Sequence, residues 1–128
     1  MADLAQFDTL AQAQEEGIDV PIKAPDGSDT DILIRVAGKD SERMRRARHK
    51  LADKHARKHR KEGFSAEEFD EQTLQLTCHA VLSWQGVEFN GAPLECTPEH
   101  VDMVLRRFPF IYDQVIAASG DRANFLKA

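Results

Sequence analysis

Hydrophobic and polar positions change period several times along this 128-residue chain, and each change predicts a new element. From Leu4 to Glu16 the apolar positions Leu4, Phe7, Leu10 and Ala11 fall on one helical face. Gly17 supplies a stop. The period then drops to two. Ile18, Val20 and Ile22 alternate in IDVPIK, and Ile32, Ile34 and Val36 alternate in DILIRVA. Pro25-Asp26-Gly27 between them is turn chemistry, so the pair reads as a β-hairpin. Pro21 demotes its first strand to an edge. A lone hairpin is marginal, so it must pack on helices or pair with another chain's edge.

Beyond Gly38 the period becomes helical. Asp40 or Ser41 can cap a helix starting at Glu42. That helix, ERMRRARHKLADKHARKHRKEG, is polar almost all round. Only Met44, Ala47, Leu51 and a few alanines are apolar. Such a helix bridges solvent or is held by a partner. Ser65 and Glu68 form a capping box, and Phe64 with Phe69 form its hydrophobic staple. The next helix is expected to run to about Trp84, with Phe69, Leu76, Ala80 and Trp84 near one face. Leu74, Val81 and Leu82 widen that face into a central core helix.

Gly86 is read as the end of this helix, Asn90-Gly91 as a tight turn, and Thr97-Pro98 as an N-cap with proline at the first helical position. The connector 85–96 thus reads as a rigid helix-to-helix hinge, with Trp84 packing on the helix pair beyond it. In that pair Val101, Val104, Leu105 and Phe108 line one face. Pro109 interrupts it, Ile111, Val115 and Ile116 continue it, and Gly120 stops it. Phe125-Leu126 form a last apolar tail. The expected fold is mainly α with a small β-hairpin (α+β), in a single domain 1–128. An N-terminal helix and hairpin (1–38) precede a basic helix (40–62) and a helical core (64–128).

Composition adds one feature. The chain is 41% hydrophobic and 30% charged, ordinary for a globular domain. Its net charge of −5 hides an asymmetry. Lys39–Lys61 holds eleven Lys/Arg against three Asp/Glu, and the remainder holds six against nineteen. Such a block marks an interaction segment or one that lies on the protein's own acidic surface. There is no apolar run long enough to span a membrane. The N-terminus lacks the basic start and apolar block of a signal peptide, so a cytoplasmic protein is expected. Cys78 and Cys96 are then free thiols.

Candidate chemistry is sparse. Cys78, His79, Cys96 and His100 are metal-ligating types, but Cys78 and His79 are adjacent, about 100° apart on a helix, and no CxxC is present. His55 and His59 have chelate spacing without an acidic or thiol companion. Glu67-Glu68 sits in a helix first turn, where the helix dipole accounts for it. No P-loop, GxSxG, HExxH or dinucleotide glycine pattern occurs, so neither an enzyme nor a cofactor is expected. The basic tract 43–61 could neutralise phosphates, but it carries no aromatic to stack on bases. Nucleic acid is therefore not the expected partner, and a small nucleic-acid-associated regulator using 43–61 stands as the alternative reading.

The run S-W-Q-G-V, E-F-N-G-A-P-L, C-T-P-E-H-V-D-M-V-L, F-P-F-I-Y-D-Q-V and A-N-F resembles the tail assembly chaperones of long-tailed bacteriophages and prophages. V-A-G-K-D-S-E-R-M-R-R resembles that family's strand-to-helix junction. The likeness spans about 36–125 and is distinctive over 81–125. It implies a non-enzymatic factor of the host cytoplasm, absent from the mature virion. Such factors bind the tape measure protein, keep it soluble and help recruit tail tube protein. A frameshifted longer form is common among them. On this reading Val101, Val104, Leu105, Phe108, Ile111 and Val115 could supply a groove for amphipathic partner helices. Arg45, Arg46 and Lys50 could attract acidic partner segments, and the hairpin edge could mediate self-association. Trp84, Gly86, Gly91, Pro98, Ser65 and Glu68 take structural roles.

Overall fold

The computed structural model describes residues 1–58 and 65–126. The elements run in the order α1 (Asp8–Glu16), β1 (Ile18–Lys23), β2 (Asp29–Val36), α2 (Glu42–Lys58), α3 (Ala66–Ala80) and β3 (Val81–Gln85). A two-strand ribbon follows, β4 (Glu88–Phe89) with β5 (Ala92–Pro93), then α4 (Pro98–Arg107) and α5 (Pro109–Gly120). Single 3-10 turns at Leu4–Phe7 and Arg122–Phe125 bracket the chain. The protein is mainly helical with a small antiparallel sheet, the expected α+β class.

The hairpin forms as its alternation requires. Ile18 pairs with Val36 and Val20 with Ile34, which puts both apolar sets on one face. At the turn, Asp26 accepts hydrogen bonds from the Ser28 N–H (2.9 Å) and hydroxyl (2.6 Å). β1 is an edge strand, as Pro21 predicts, and the edge is blunted twice. Proline donates nothing, and the Gln114 amide on α5 exchanges two 2.8 Å hydrogen bonds with the Lys23 N–H and C=O. That side chain takes the place of a neighbouring strand, so this edge is a poor template for a second copy.

The sheet has a third strand where a helix is expected. α3 stops at Ala80, and Val81–Gln85 pairs antiparallel with β2, Ile34 opposite Trp84. VLSWQ is apolar enough to extend a helix face, yet it also alternates, with Val81 buried and Ser83 and Gln85 exposed. The open edge of β2 decides between the two. A short apolar run is ambiguous from periodicity alone, and pairing satisfies its backbone. Trp84 therefore stands on a strand. Its indole N–H donates to the Leu94 carbonyl at 2.8 Å and pins the ribbon β4–β5.

Residues 86–96 are thus a hairpin between strand and helix rather than a hinge between two helices. Asn90 (φ 53°) and Gly91 (φ 82°) occupy the two left-handed positions of its tight turn. Arg107 lies over the Phe89 ring at 5.4 Å and ties the ribbon to α4. Gly86 ends a strand, not a helix. At φ 74° it passes so close to β2 that a Cβ there would sit 2.0 Å from the Asp31 carbonyl oxygen.

One core joins sheet and helices. Ile22, Ile34 and Val36 from the sheet meet Ala80 and Val81. Val101, Val104, Leu105, Ile111 and Val115 arrive from α4 and α5. α3 touches α2, α4 and α5 and is the central helix. The Thr97 hydroxyl caps α4 by accepting from the His100 N–H at 3.2 Å, with Pro98 at the first position as expected. Ser65 accepts from the Glu68 N–H at 3.1 Å at the start of α3. Phe64, the expected staple partner, lies outside the described residues, as does the expected end of the basic helix beyond Lys58. Phe69 is 61% exposed rather than core.

Two glycines separate strain from clash. Gly91 has open space around its missing Cβ, so Gly91→Ala should cost only the left-handed conformation, about 1 kcal/mol. Gly86→Ala must also displace β2 and should cost measurably more. Paired urea denaturation curves read the difference, and equal costs would show that the Asp31 approach does not constrain the turn.

Candidate partner-binding groove

The basic helix α2 carries one narrow apolar stripe, and only part of it is used. Met44 and Ala47 are buried, and Leu51 is half-buried. Two of its cations serve the fold. Arg43 Nε donates to the His79 carbonyl at 2.6 Å, and Arg48 donates to the Lys39 carbonyl at 2.8 Å. Arg45 (2.5 Å) and Arg46 (3.4 Å) share Glu42, whose carboxyl is held below its ordinary pKa chiefly by Arg45. Lys50 is exposed.

Where α2 leaves α3 an open furrow appears. One pocket of about 170 Å³ has Met44, Leu76 and Ala80 on its floor, with Ile116 and Gly120 closing it from α5. A second, of about 360 Å³, lies between Leu51 and Phe69. The two share Arg48, Thr73 and Leu76 and so form one groove. Phe69 (61% exposed) and Ile116 (38%) stand on its walls as uncovered apolar side chains. Lys39 and Arg48 stand on its border. An apolar channel bordered by cations suits an amphipathic helix with acidic flanks.

The residues that the sequence offers for a groove do not line this one. Val101, Val104, Leu105, Ile111 and Val115 are all in the core, and Phe108 is half-buried at the α4–α5 break, edge-on to Phe110. Their apolar surface closes the sheet and α3 instead of lining an open face. Of the expected contact residues, Arg45, Arg46 and Lys50 are exposed on the same helix as the groove. The helical period assigns Phe69 to the core, and Ile116, placed on the C-terminal apolar stripe, stays partly uncovered. Periodicity finds an apolar face but does not tell which part of it stays uncovered.

A second cleft, of about 430 Å³, lies between α3, β3 and the start of α4. Cys78, His79 and Cys96 line it together, so three of the four metal-ligating types noted in the sequence do converge. His100 does not join them; its Nδ1 lies 2.6 Å from the Glu95 carbonyl. Among the described residues no three such groups are arranged to hold a metal ion. Burial pushes the Cys78 thiol up to about 11, with Asp102 adding to it, and burial also raises Cys96. Burial, then Arg43 and Lys50, lower His79. These groups are neutral near pH 7, a poor setting for a thiolate nucleophile. The His55 and His59 side chains lie outside the described residues.

A small α+β protein with a helical groove and no assembled metal cluster among its described residues is the class that fold and site define. No described helix is long and apolar enough to cross a membrane. Residues 38–128 match the model of a family described as YdaY prophage protein, and the chain belongs to that family. No curated protein and no solved structure matches the chain. The match makes this a prophage protein, as the resemblance implies, and extends over the groove but not over α1 or the hairpin β1–β2.

Beside the second cleft, Arg106 clamps α3 to α4. It donates to both Glu71 oxygens (2.7 and 2.8 Å) and to Asp102 (3.1 and 3.2 Å). The Arg106 bonds, helped by Gln75, hold Glu71 down at about 2, against an ordinary 4.5. A depressed carboxylate stabilises the fold above its unfolded pKa and loses that contribution as pH falls through the folded one. The Glu71 contribution should be full above about pH 4.5 and fade toward pH 2. Solvent screening keeps it modest, since both side chains are nearly half-exposed. Denaturation midpoints at pH 7 and pH 3 should differ less in Glu71→Gln than in the parent; an unchanged difference would rule the clamp out as a source of acid sensitivity.

Proposed function

We propose that this prophage protein is a tail assembly chaperone whose α2–α3 groove receives an apolar helix stripe of the tape measure protein. In this role it keeps that protein soluble and helps recruit tail tube subunits around it. The observation that carries the reading is the uncovered apolar channel from Ile116 past Leu76 to Phe69, with Arg48 and Lys39 on its border. A tape measure helix exposes apolar stripes until the tube surrounds it, and a channel of this kind can cover one. The prophage family and the likeness over 81–125 support the same reading. No step of it needs catalysis or a cofactor, and its setting is the host cytoplasm before the virion is complete.

The other reading, a nucleic-acid-associated regulator using 43–61, draws on the same helix. The cations argue against it. Arg43 and Arg48 bind protein carbonyls, and Arg45 and Arg46 share a carboxylate. A row so engaged neutralises fewer phosphates than its composition promises. It still leaves positive potential around the groove, which speeds encounter with an acidic partner.

Co-expression with the tape measure protein of the same prophage tests the reading. The tape measure should be insoluble alone and co-purify with the wild-type protein. Phe69→Asp should lose the partner at least tenfold while its melting temperature stays put, because that ring is already in water. Phe108→Asp should lose it only together with stability. Retention of the partner by folded Phe69→Asp would sink the groove, and salt-sensitive retention on DNA without tape measure binding would favour the regulator.

A further inference from the structure

We infer that the N-terminal helical segment of one copy docks in the α2–α3 groove of another, so that the protein associates weakly with itself, head to tail. The segment has the chemistry the groove asks for. Leu4 (79% exposed) and Phe7 (43%) lie three residues apart, on one side of the opening turn, and stay in water. Asp3 and Asp8 flank them, and no Lys or Arg precedes Lys23. The groove offers the complement, Phe69 and Leu76 bordered by Arg48 and Lys39.

The two features do not satisfy each other within one copy. Gln14, 2% exposed, anchors the end of α1 beside Gly38 and Asp40, exchanging hydrogen bonds with Asp40 at 2.8 and 3.1 Å. Leu4 and Phe7 project from that anchor into solvent. An unmet apolar segment and an unmet groove of opposite charge on one molecule make a heterologous contact, which propagates rather than closing by symmetry. Two side chains cover little area, so the contact belongs to the weak, concentration-dependent class. The sheet edge is a poorer route to self-association, because Pro21 and Gln114 blunt it. The groove is the one used in the proposed chaperone role, but a second copy suffices here. If both hold, self-docking covers the groove until a tape measure helix displaces it.

Light-scattering molar mass across a concentration series at low salt is the test. The wild-type protein should rise from the 14.4 kDa monomer toward dimer and beyond, and fall back at high salt. Leu4→Asp/Phe7→Asp and Phe69→Asp should each remain monomeric, with circular dichroism melts confirming folding. Mixed one to one, the two variants should recover a dimer and nothing larger, since each retains one half of the contact. A wild-type monomer at every concentration, association persisting in Leu4→Asp/Phe7→Asp, or no recovery on mixing would each overturn the inference. Leu4→Asp/Phe7→Asp should still co-purify with the tape measure, which keeps failure of self-docking distinct from failure of the groove.

Discussion

The five residues that leave β2, Ala37–Ser41, are the constraint on which the rest depends. Between them they tie α1, α3, α5 and the turn after it to one short crossing, and they start α2. The Ala37 N–H donates to Ala80 at the end of α3, and its carbonyl accepts from the Ser119 hydroxyl on α5. Gly38 donates to the Gln14 carbonyl, Lys39 to the Ser119 carbonyl, and Asp40 takes Arg122 and Gln14 on its carboxylate. The buried Ser41 hydroxyl caps α2 by accepting from Met44. These are mostly backbone groups that burial would leave without water, so the fold must pair them or forfeit about 1–3 kcal/mol for each one left unmet. The crossing fixes where α2 starts and hence where the groove opens.

How far α2 departs from α3 follows from composition. A helix with only Met44, Ala47 and Leu51 on its stripe can bury one end, and Arg43 and Arg48 secure that end to carbonyls. Beyond Leu51 none of the described side chains of α2 is buried. Phe69 and Leu76 are therefore left with less cover than their period predicts. The C-terminal helices go the opposite way. Val101, Val104, Leu105, Ile111 and Val115 cover both the sheet and α3, which leaves them no open face to offer.

Much of this was legible in the residues. The hairpin and its Pro25-Asp26-Gly27 turn, the Ser65 and Thr97 caps, the Asn90-Gly91 turn and the break at Pro109 are local chemistry, and local chemistry is what periodicity and capping report. Two things were not. Val81–Gln85 reads as helix because its apolar content suits both periods, and the choice belongs to the unpaired edge of β2, forty-five residues earlier in the chain. The open channel went unread for a related reason. An apolar face predicts burial without naming what buries it, and only the packed helices show that Val101, Val104, Leu105, Ile111 and Val115 are covered while Phe69 and Ile116 are not. That the two cysteines share one cleft was also beyond reach of spacing, since β3 and the ribbon fold back between them.

The same lack of apolar partners that exposes the groove explains its charge. A helix of this composition stays folded through its ties to carbonyls and through pairs such as Glu42–Arg45, and both devices use arginine here. Cations that hold α2 in place therefore also border the channel it leaves. Arg48 does both, donating to the Lys39 carbonyl while lining both halves of the groove. In the proposed role, electrostatic selection for an acidic helix would need no separate binding residue, because the border charge follows from how the basic helix is attached. Removing that charge would loosen α2 and weaken the proposed selection together. A bare ring such as Phe69 can be changed without touching that attachment, and so it separates recognition from folding.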